Sequence, residues 1–235
     1  MTTSSRARPI VAIDGPAGAG KSTVARRLAD ELGYVLVDTG AMYRVVALAS
    51  SRASVAWSDG PGLGALADKL VQSAHISFER HPTRGLRVVL AGEDVSEAIR
   101  TPDMGMGASQ VSAHAEVRAA LLDLQRQAGR VGGVVLEGRD IGTVVFPEAE
   151  VKFYLTASPE VRARRRFEEL VAKGEKVTFE QTLIDVERRD ANDTGREHAP
   201  LRRADDAVLV DSSNMSIDDT VAHLAKRVRE RERPG

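Results

Sequence analysis

Residues Ile10 to Gly33 read IVAIDGPAGAGKSTVARRLADELG: a short apolar run, a glycine-rich loop, then apolar residues at helical spacing. The middle, GPAGAGKS, fits G-x-x-x-x-G-K-[ST], with Gly15, Gly20, Lys21 and Ser22 at the fixed places of a Walker A loop. Glycines let a backbone wrap close to phosphate oxygens and turn successive N–H groups inward. Lys21 would reach the outer phosphates and Ser22 would ligate Mg²⁺. The context agrees with the motif. Ile10 to Ile13 read as a buried strand, Val24, Ala25, Leu28, Ala29 and Leu32 recur at helical spacing, and Gly33 closes the helix. The loop is expected to hold a nucleoside triphosphate.

Composition sets the bounds. The 235 residues are 42% hydrophobic, enough for one substantial core with an inserted subdomain. A formal charge of −1 gives no basic field for a nucleic-acid polymer. With no cysteine, disulfides, thiol catalysis and thiolate zinc sites are excluded. The opening MTTSSRARP is polar and no apolar run approaches the roughly 20 residues of a membrane helix. A soluble, cytoplasmic protein is expected, and a monomer, since no extended apolar interface is legible. The tail AKRVRERERPG, with mixed signs at short spacing, is expected to continue the last helix as a solvated, frayed end.

Short, β-branched runs alternate with helical patterns over most of the chain: VAID, YVLVD, GVVLEG, VKFYLTA and AVLVD. This rhythm predicts an α/β fold with a parallel sheet and helices on both faces. It breaks between about Gly60 and Asp103. There a helical piece, LGALADKLVQSA, precedes HISFE, a turn at HPTRG and LRVVLAGEDV, which together predict a small antiparallel insert. That insert reads either as an elaborated loop or as a subdomain covering a substrate. Farther on, Val117, Leu121, Leu122 and Leu124 mark the buried side of one helix. SPEVRARRRFEELVAKG is another, with Ser158 as cap and Gly174 after its last turn.

Phosphate loops serve switches, motors and kinases, so other residues must choose among them. GTP-binding switches read guanine with N-K-x-D, but the two asparagines, Asn192 and Asn214, are not followed by lysine. A hydrolysing motor would end a strand in a carboxylate pair, whereas VVLEGRD separates Glu137 and Asp140 by Arg139. An arginine beside those acids suggests a second anion. Asp38, Thr39 and Arg44 of DTGAMYR follow a strand, where ligands of such sheets sit. Arg188, Arg189, Asp193 and Arg196 lie in a polar, glycine-containing stretch expected to leave a helix as a loop. Guanidinium forks match phosphate geometry, and phosphoryl transfer needs mobile positive charge, so this stretch is expected to be a lid with RARRR (Arg162 to Arg166) as its incoming edge.

In this order and across nearly the whole chain, GPAGAGKST, DTGAMYR, ASQVSA, EGRDIGTVVFP and RRDANDTGREHAPL resemble the motifs of the bacterial cytidylate kinase family. The resemblance implies one nucleoside monophosphate kinase domain over residues 1–235, with a central parallel five-stranded sheet. Residues 60–103 would be its monophosphate-binding insert and about 158–197 its lid. It also implies phosphoryl transfer from ATP, as co-substrate with Mg²⁺, to CMP or dCMP. By that resemblance, Gly15, Pro16, Ala17, Gly18, Ala19, Gly20, Lys21, Ser22 and Thr23 would wrap the ATP phosphates. Thr39, Arg44 and Arg139 would contact the monophosphate. Ser109, Arg118 and Asp140 would read cytosine, Arg189 and Asp193 would lie near the ribose, and Arg196 would be a lid arginine near the phosphates. Lys21, Arg139, Arg189 and Arg196 would carry the catalytic charge. Cytosine's amine donor beside two acceptors suits a carboxylate, a guanidinium and a hydroxyl. Uracil would turn a carbonyl toward Asp140. Kinases for UMP, AMP or shikimate, and a non-catalytic nucleotide-binding module, are the competing readings.

Overall fold

The computed structural model describes residues 6–81 and 85–232. The opening MTTSS, Pro82, Thr83 and Arg84 of the expected turn, and the last three residues of the tail lie outside the described residues. The chain divides into two compact units: one runs to Asp38 and resumes at Ala128, and the other is Thr39–Gln127. The second unit is thus wider than the insert bounded by residues 60 and 103 in the sequence.

The first unit opens with β1 (Ile10–Asp14), α1 (Lys21–Leu32) and β2 (Val35–Asp38). All five residues of β1 are buried, as befits a strand covered on both faces. Gly33 takes the left-handed conformation that caps α1, its N–H donating to the carbonyls of Ala29 and Asp30.

The second unit comprises α2 (Thr39–Arg52), α3 (Gly60–Gln72), β3 (Ile76–His81), β4 (Gly85–Leu90), β5 (Glu93–Asp94), a 3₁₀ turn (Ala98–Arg100) and α4 (Pro102–Val111). It ends within α5 (Ala115–Gly129). The sheet is antiparallel in the order β3-β4-β5. Asp59 caps α3 by accepting from the Gly62 N–H at 3.0 Å, and Thr101 caps α4 through the Met104 N–H at 3.2 Å. Ala41, Val45, Leu70, Ile76, Val88, Leu90, Val95 and Ile99 form its core. On α5, Val117 and Leu121 are fully buried and Leu122 and Leu124 partly so, while the polar Gln125 joins the buried stripe.

The first unit then resumes with β6 (Val134–Gly138), a π-turn (Ile141–Val145), β7 (Val151–Thr156), α6 (Pro159–Ala172), α7 (Phe179–Gly195), β8 (Val208–Asp211) and α8 (Ile217–Arg229). Its five strands are all parallel, in the order β2-β6-β1-β7-β8. Val11, Ile13, Leu28, Tyr34, Phe153, Leu155, Leu224 and Val228 pack on one another beneath α1 and α8. Burying a side chain of this size contributes about 1.5–3 kcal/mol. Because the strands are parallel, their carboxyl ends share one edge, the ligand edge of such sheets. The register aligns Asp38 with Glu137 and Asp14 with Gly138 there.

Two expectations change. Arg188, Arg189 and Asp193 are not in a loop: α7 starts at its Thr178 cap, whose Oγ1 accepts from the Gln181 N–H at 3.1 Å, and continues through Gly195. Thr182, Val186 and Asp193 are its buried residues, and Arg189 is half-buried on the same side. The basic tail is not merely a frayed end either. Val228 is fully buried, Arg229 pairs with Glu31 at 2.9 Å, and the Tyr34 hydroxyl donates to Glu232 at 2.6 Å.

Candidate active site

The phosphate loop is shaped by two glycines in different ways. Gly15 has φ +153°, and a Cβ there would lie 2.0 Å from the Leu155 carbonyl oxygen. Gly20 has φ +87° with open space where a Cβ would point, which leaves the loop backbone accessible at the start of α1. The unpaired N–H groups and dipole of a helix N-terminus attract anions at such a place. Lys21 is buried, and its ammonium donates to the Pro16 carbonyl at 2.8 Å. Burial, then the Arg139 charge, pushes its pKa well down, while Glu137, Asp193 and Asp14 pull the other way. A phosphate beside Lys21 would favour its charged form.

The acids of the strand edge meet this loop. Ser22 Oγ donates to Glu137 Oε2 at 2.9 Å, so the hydroxyl of the motif and the last carboxylate of β6 share one spot. Among the described residues no group of three or more His, Cys, Asp or Glu side chains could hold a metal by itself. A hydroxyl beside a buried carboxylate does fit Mg²⁺, which takes few protein ligands and completes its shell with phosphate oxygens and water.

Asp14 was not singled out in the sequence, where it reads only as the end of a strand. Its carboxylate accepts from the N–H groups of Ile141 and Gly142 at 2.8 and 2.7 Å, anchoring the turn that follows Arg139 and Asp140. Burial raises its pKa from 3.8 to about 6 against these two bonds, with Asp140 adding to the rise. A raised carboxyl pKa stabilises the fold fully below the unfolded value, and that contribution is lost as pH rises through about 6. It amounts to about 3 kcal/mol. Denaturant titrations of Asp14→Asn between pH 4 and 6 are expected to lose that part of the pH dependence; a slope equal to wild type would contradict it.

The expected arginines partly converge. Arg139 Nε donates to Asp193 Oδ2 at 2.6 Å, linking the end of β6 to α7. Burial opposes the Arg139 charge, yet Asp193, Glu137 and Asp14 hold its pKa above the usual value. Burial likewise works to raise Asp193, but Arg139, then Arg196 and Arg189, keep its carboxyl below the usual range. Arg196 follows α7, donates to the Ala199 carbonyl at 2.6 Å and comes within 3.8 Å of Asp140. Lys21, Ser22, Arg139, Asp140, Arg189, Asp193 and Arg196 therefore all belong to the first unit.

The remaining candidates belong to the second unit. Thr39 is the buried first residue of α2, and Arg44 follows on the same helix. Ser109 lies on α4 with its Oγ buried and no hydrogen-bond partner among the described residues, a group that a bound polar ligand would satisfy. Arg118, on α5, donates to the Ser112 carbonyl at 3.3 Å, with its guanidinium 5.8 Å from the Tyr43 ring centroid.

The sequence model of the family described as Cytidylate kinase matches residues 11–230. The chain belongs to that family. A protein named Cytidylate kinase from Geobacter sulfurreducens is 54% identical over 233 residues, covering 99% of this chain and 98% of that one. Another so named, from Syntrophotalea carbinolica, is 55% identical over 223 residues, covering 95% and 93%. An uncharacterized protein from Eubacterium ventriosum shares the fold at a TM-score of 0.52 and 13% identity, with 95% and 99% coverage. Family membership makes the chain a P-loop kinase, in agreement with the loop, the parallel sheet and the arginines at its edge. No helix among the described residues is long and apolar enough to cross a membrane.

Proposed function

We propose that the chain transfers the γ-phosphoryl group of ATP to CMP or dCMP, giving ADP and CDP or dCDP. Support comes above all from the cluster of Lys21, Ser22, Glu137 and the Arg139–Asp193 pair at the carboxyl edge of the parallel sheet, in a chain of the Cytidylate kinase family. Such a cluster supplies what phosphoryl transfer needs: backbone donors, fixed positive charge and no nucleophile from the protein. Gly15 to Thr23 bind the ATP phosphates, and Lys21 stabilises charge on the transferred group. Ser22 would hold Mg²⁺, which when bound neutralises and orients phosphate oxygens.

In this proposal Thr39, Arg44 and Arg139 bind the acceptor phosphate, whose oxygen attacks the γ-phosphorus in line. Ser109, Arg118 and Asp140 read cytosine, with Ser109 Oγ gaining the hydrogen-bond partner it lacks among the described residues. Arg189 and Asp193 lie by the ribose, and Arg196 adds charge near the phosphates. Residues 60–103 cover the monophosphate and about 158–197 form the lid. The protein acts as a cytoplasmic monomer on small molecules, without nucleic acid or membrane.

The test is ADP release from Mg·ATP with no acceptor and with CMP, dCMP, UMP, AMP and shikimate in turn. Strong release with CMP and dCMP, weak with UMP and negligible without acceptor is the expected result. Preference for UMP, AMP or shikimate would retain the kinase and overturn the cytosine assignment. Acceptor-independent hydrolysis would overturn the transfer reaction.

A further inference from the structure

The run RARRR, which the sequence offers as the edge of a lid, is divided by the structure. Arg164 lies over the Phe179 ring at 4.3 Å, Arg165 donates to the Ser212 carbonyl at 2.7 Å, and Arg166 pairs with Glu169 at 2.9 Å. Arg162, by contrast, turns inward and is 4% exposed. Its Nε donates to the Ala157 carbonyl at 2.9 Å, and its Nη1 donates to the Ala17 carbonyl of the phosphate loop at 3.0 Å and meets Asp190 Oδ2 of α7 at 2.6 Å.

We infer that Arg162 is a positioning residue for ATP, holding the phosphate loop in its binding shape and tying that loop to α7. The inference rests on the proposed binding of ATP by that loop. A trans peptide points its carbonyl and N–H in opposite directions. Fixing the Ala17 carbonyl on Arg162 therefore turns the Gly18 N–H away from α6. The backbone enforces the same seat: a Cβ on Gly18 would lie 3.0 Å from the Arg162 carbonyl oxygen and 3.1 Å from Arg162 Cβ. A guanidinium so deeply buried needs a counter-charge, which Asp190 provides. Asp190 stands next to Arg189 and three residues before Asp193, the partner of Arg139. One path of contacts thus joins the phosphate loop, Arg162, Asp190, α7 and the arginine at the end of β6.

Lysine at 162 would keep the charge but not the planar fork that reaches a carbonyl on each side. The test compares wild type with Arg162→Met, Arg162→Lys, Asp190→Asn and the double variant R162M/D190N. Calorimetry measures binding of a non-hydrolysable ATP analogue, steady-state kinetics give KM for ATP and kcat, and thermal unfolding reports stability. Losing a hydrogen bond to a charged group is expected to raise the analogue Kd and the ATP KM about tenfold in R162M, with kcat lowered less. R162K should shift the same way by less, and D190N by about threefold. The double variant should bind no more weakly than R162M, because both changes cut one path. A lower Tm with wild-type ATP affinity in R162M, or in R162K and D190N if R162M fails to fold, would overturn the inference and leave Arg162 a packing residue. Failure of wild type itself to bind the analogue would instead overturn the ATP reading on which this depends.

Discussion

Lys21→Ala is expected to lower kcat by about a thousandfold, the scale seen when one fixed donor is removed from a developing transition-state charge. KM for ATP should change far less, because the backbone donors at the start of α1 remain. Burial and the neighbouring Arg139 make a charged Lys21 costly. An anion beside it repays that cost, and most fully when negative charge moves during transfer. The Lys21 ammonium donates to the Pro16 carbonyl and is attracted by Glu137, Asp193 and Asp14, so alanine also removes a positive charge from among these acids. Initial rates at saturating ATP and CMP, with circular dichroism to verify the fold, provide the check. Turnover within tenfold of wild type would contradict the mechanism.

Arg139→Ala should damage both activity and stability. Removing a guanidinium that stabilises phosphoryl transfer is expected to lower kcat/KM for CMP by about a thousandfold or more. The Asp193 side chain is 6% exposed and loses its 2.6 Å partner, so the fold should weaken by about 3 kcal/mol. Asp193→Asn removes the buried charge that Arg139 no longer pairs with. The double variant R139A/D193N should therefore recover part of the stability without recovering activity. Urea unfolding and CMP kinetics on the same samples separate the two effects. Destabilisation of the double variant equal to the sum of R139A and D193N would show that Arg139 and Asp193 are not coupled.

The phosphate loop was legible because its chemistry is local. Gly15, Gly20, Lys21 and Ser22 stand within one strand-loop-helix unit, where spacing along the chain is spacing in space. The five strands were legible for a similar reason: a buried parallel strand is a short apolar run whichever neighbour it pairs with. The helical course of residues 179–195 was not legible because apolar periodicity detects a helix only through hydrophobic residues. Thr182, Val186, Arg189 and Asp193 recur at intervals of four, three and four, a helical spacing, but two of them are charged. Asp193 is buried because Arg139, 54 residues away, neutralises it, and nothing near position 193 announces that partner.

The sequence by itself determined the α/β class, the strand positions, the phosphate loop with Lys21 and Ser22, and the set of arginines and acids whose motifs point to the family. Only the tertiary structure decided what each of those charges meets. It sent Arg162 inward to Ala17 and Asp190, joined Arg139 to Asp193, closed Asp14 on the turn after β6, and anchored the basic tail through Arg229 and Glu232. The physical reason is that a strand or a loop is chosen by energies between near neighbours in the chain. A buried charge is tolerated only beside its counter-charge, and that partner arrives from wherever folding brings it.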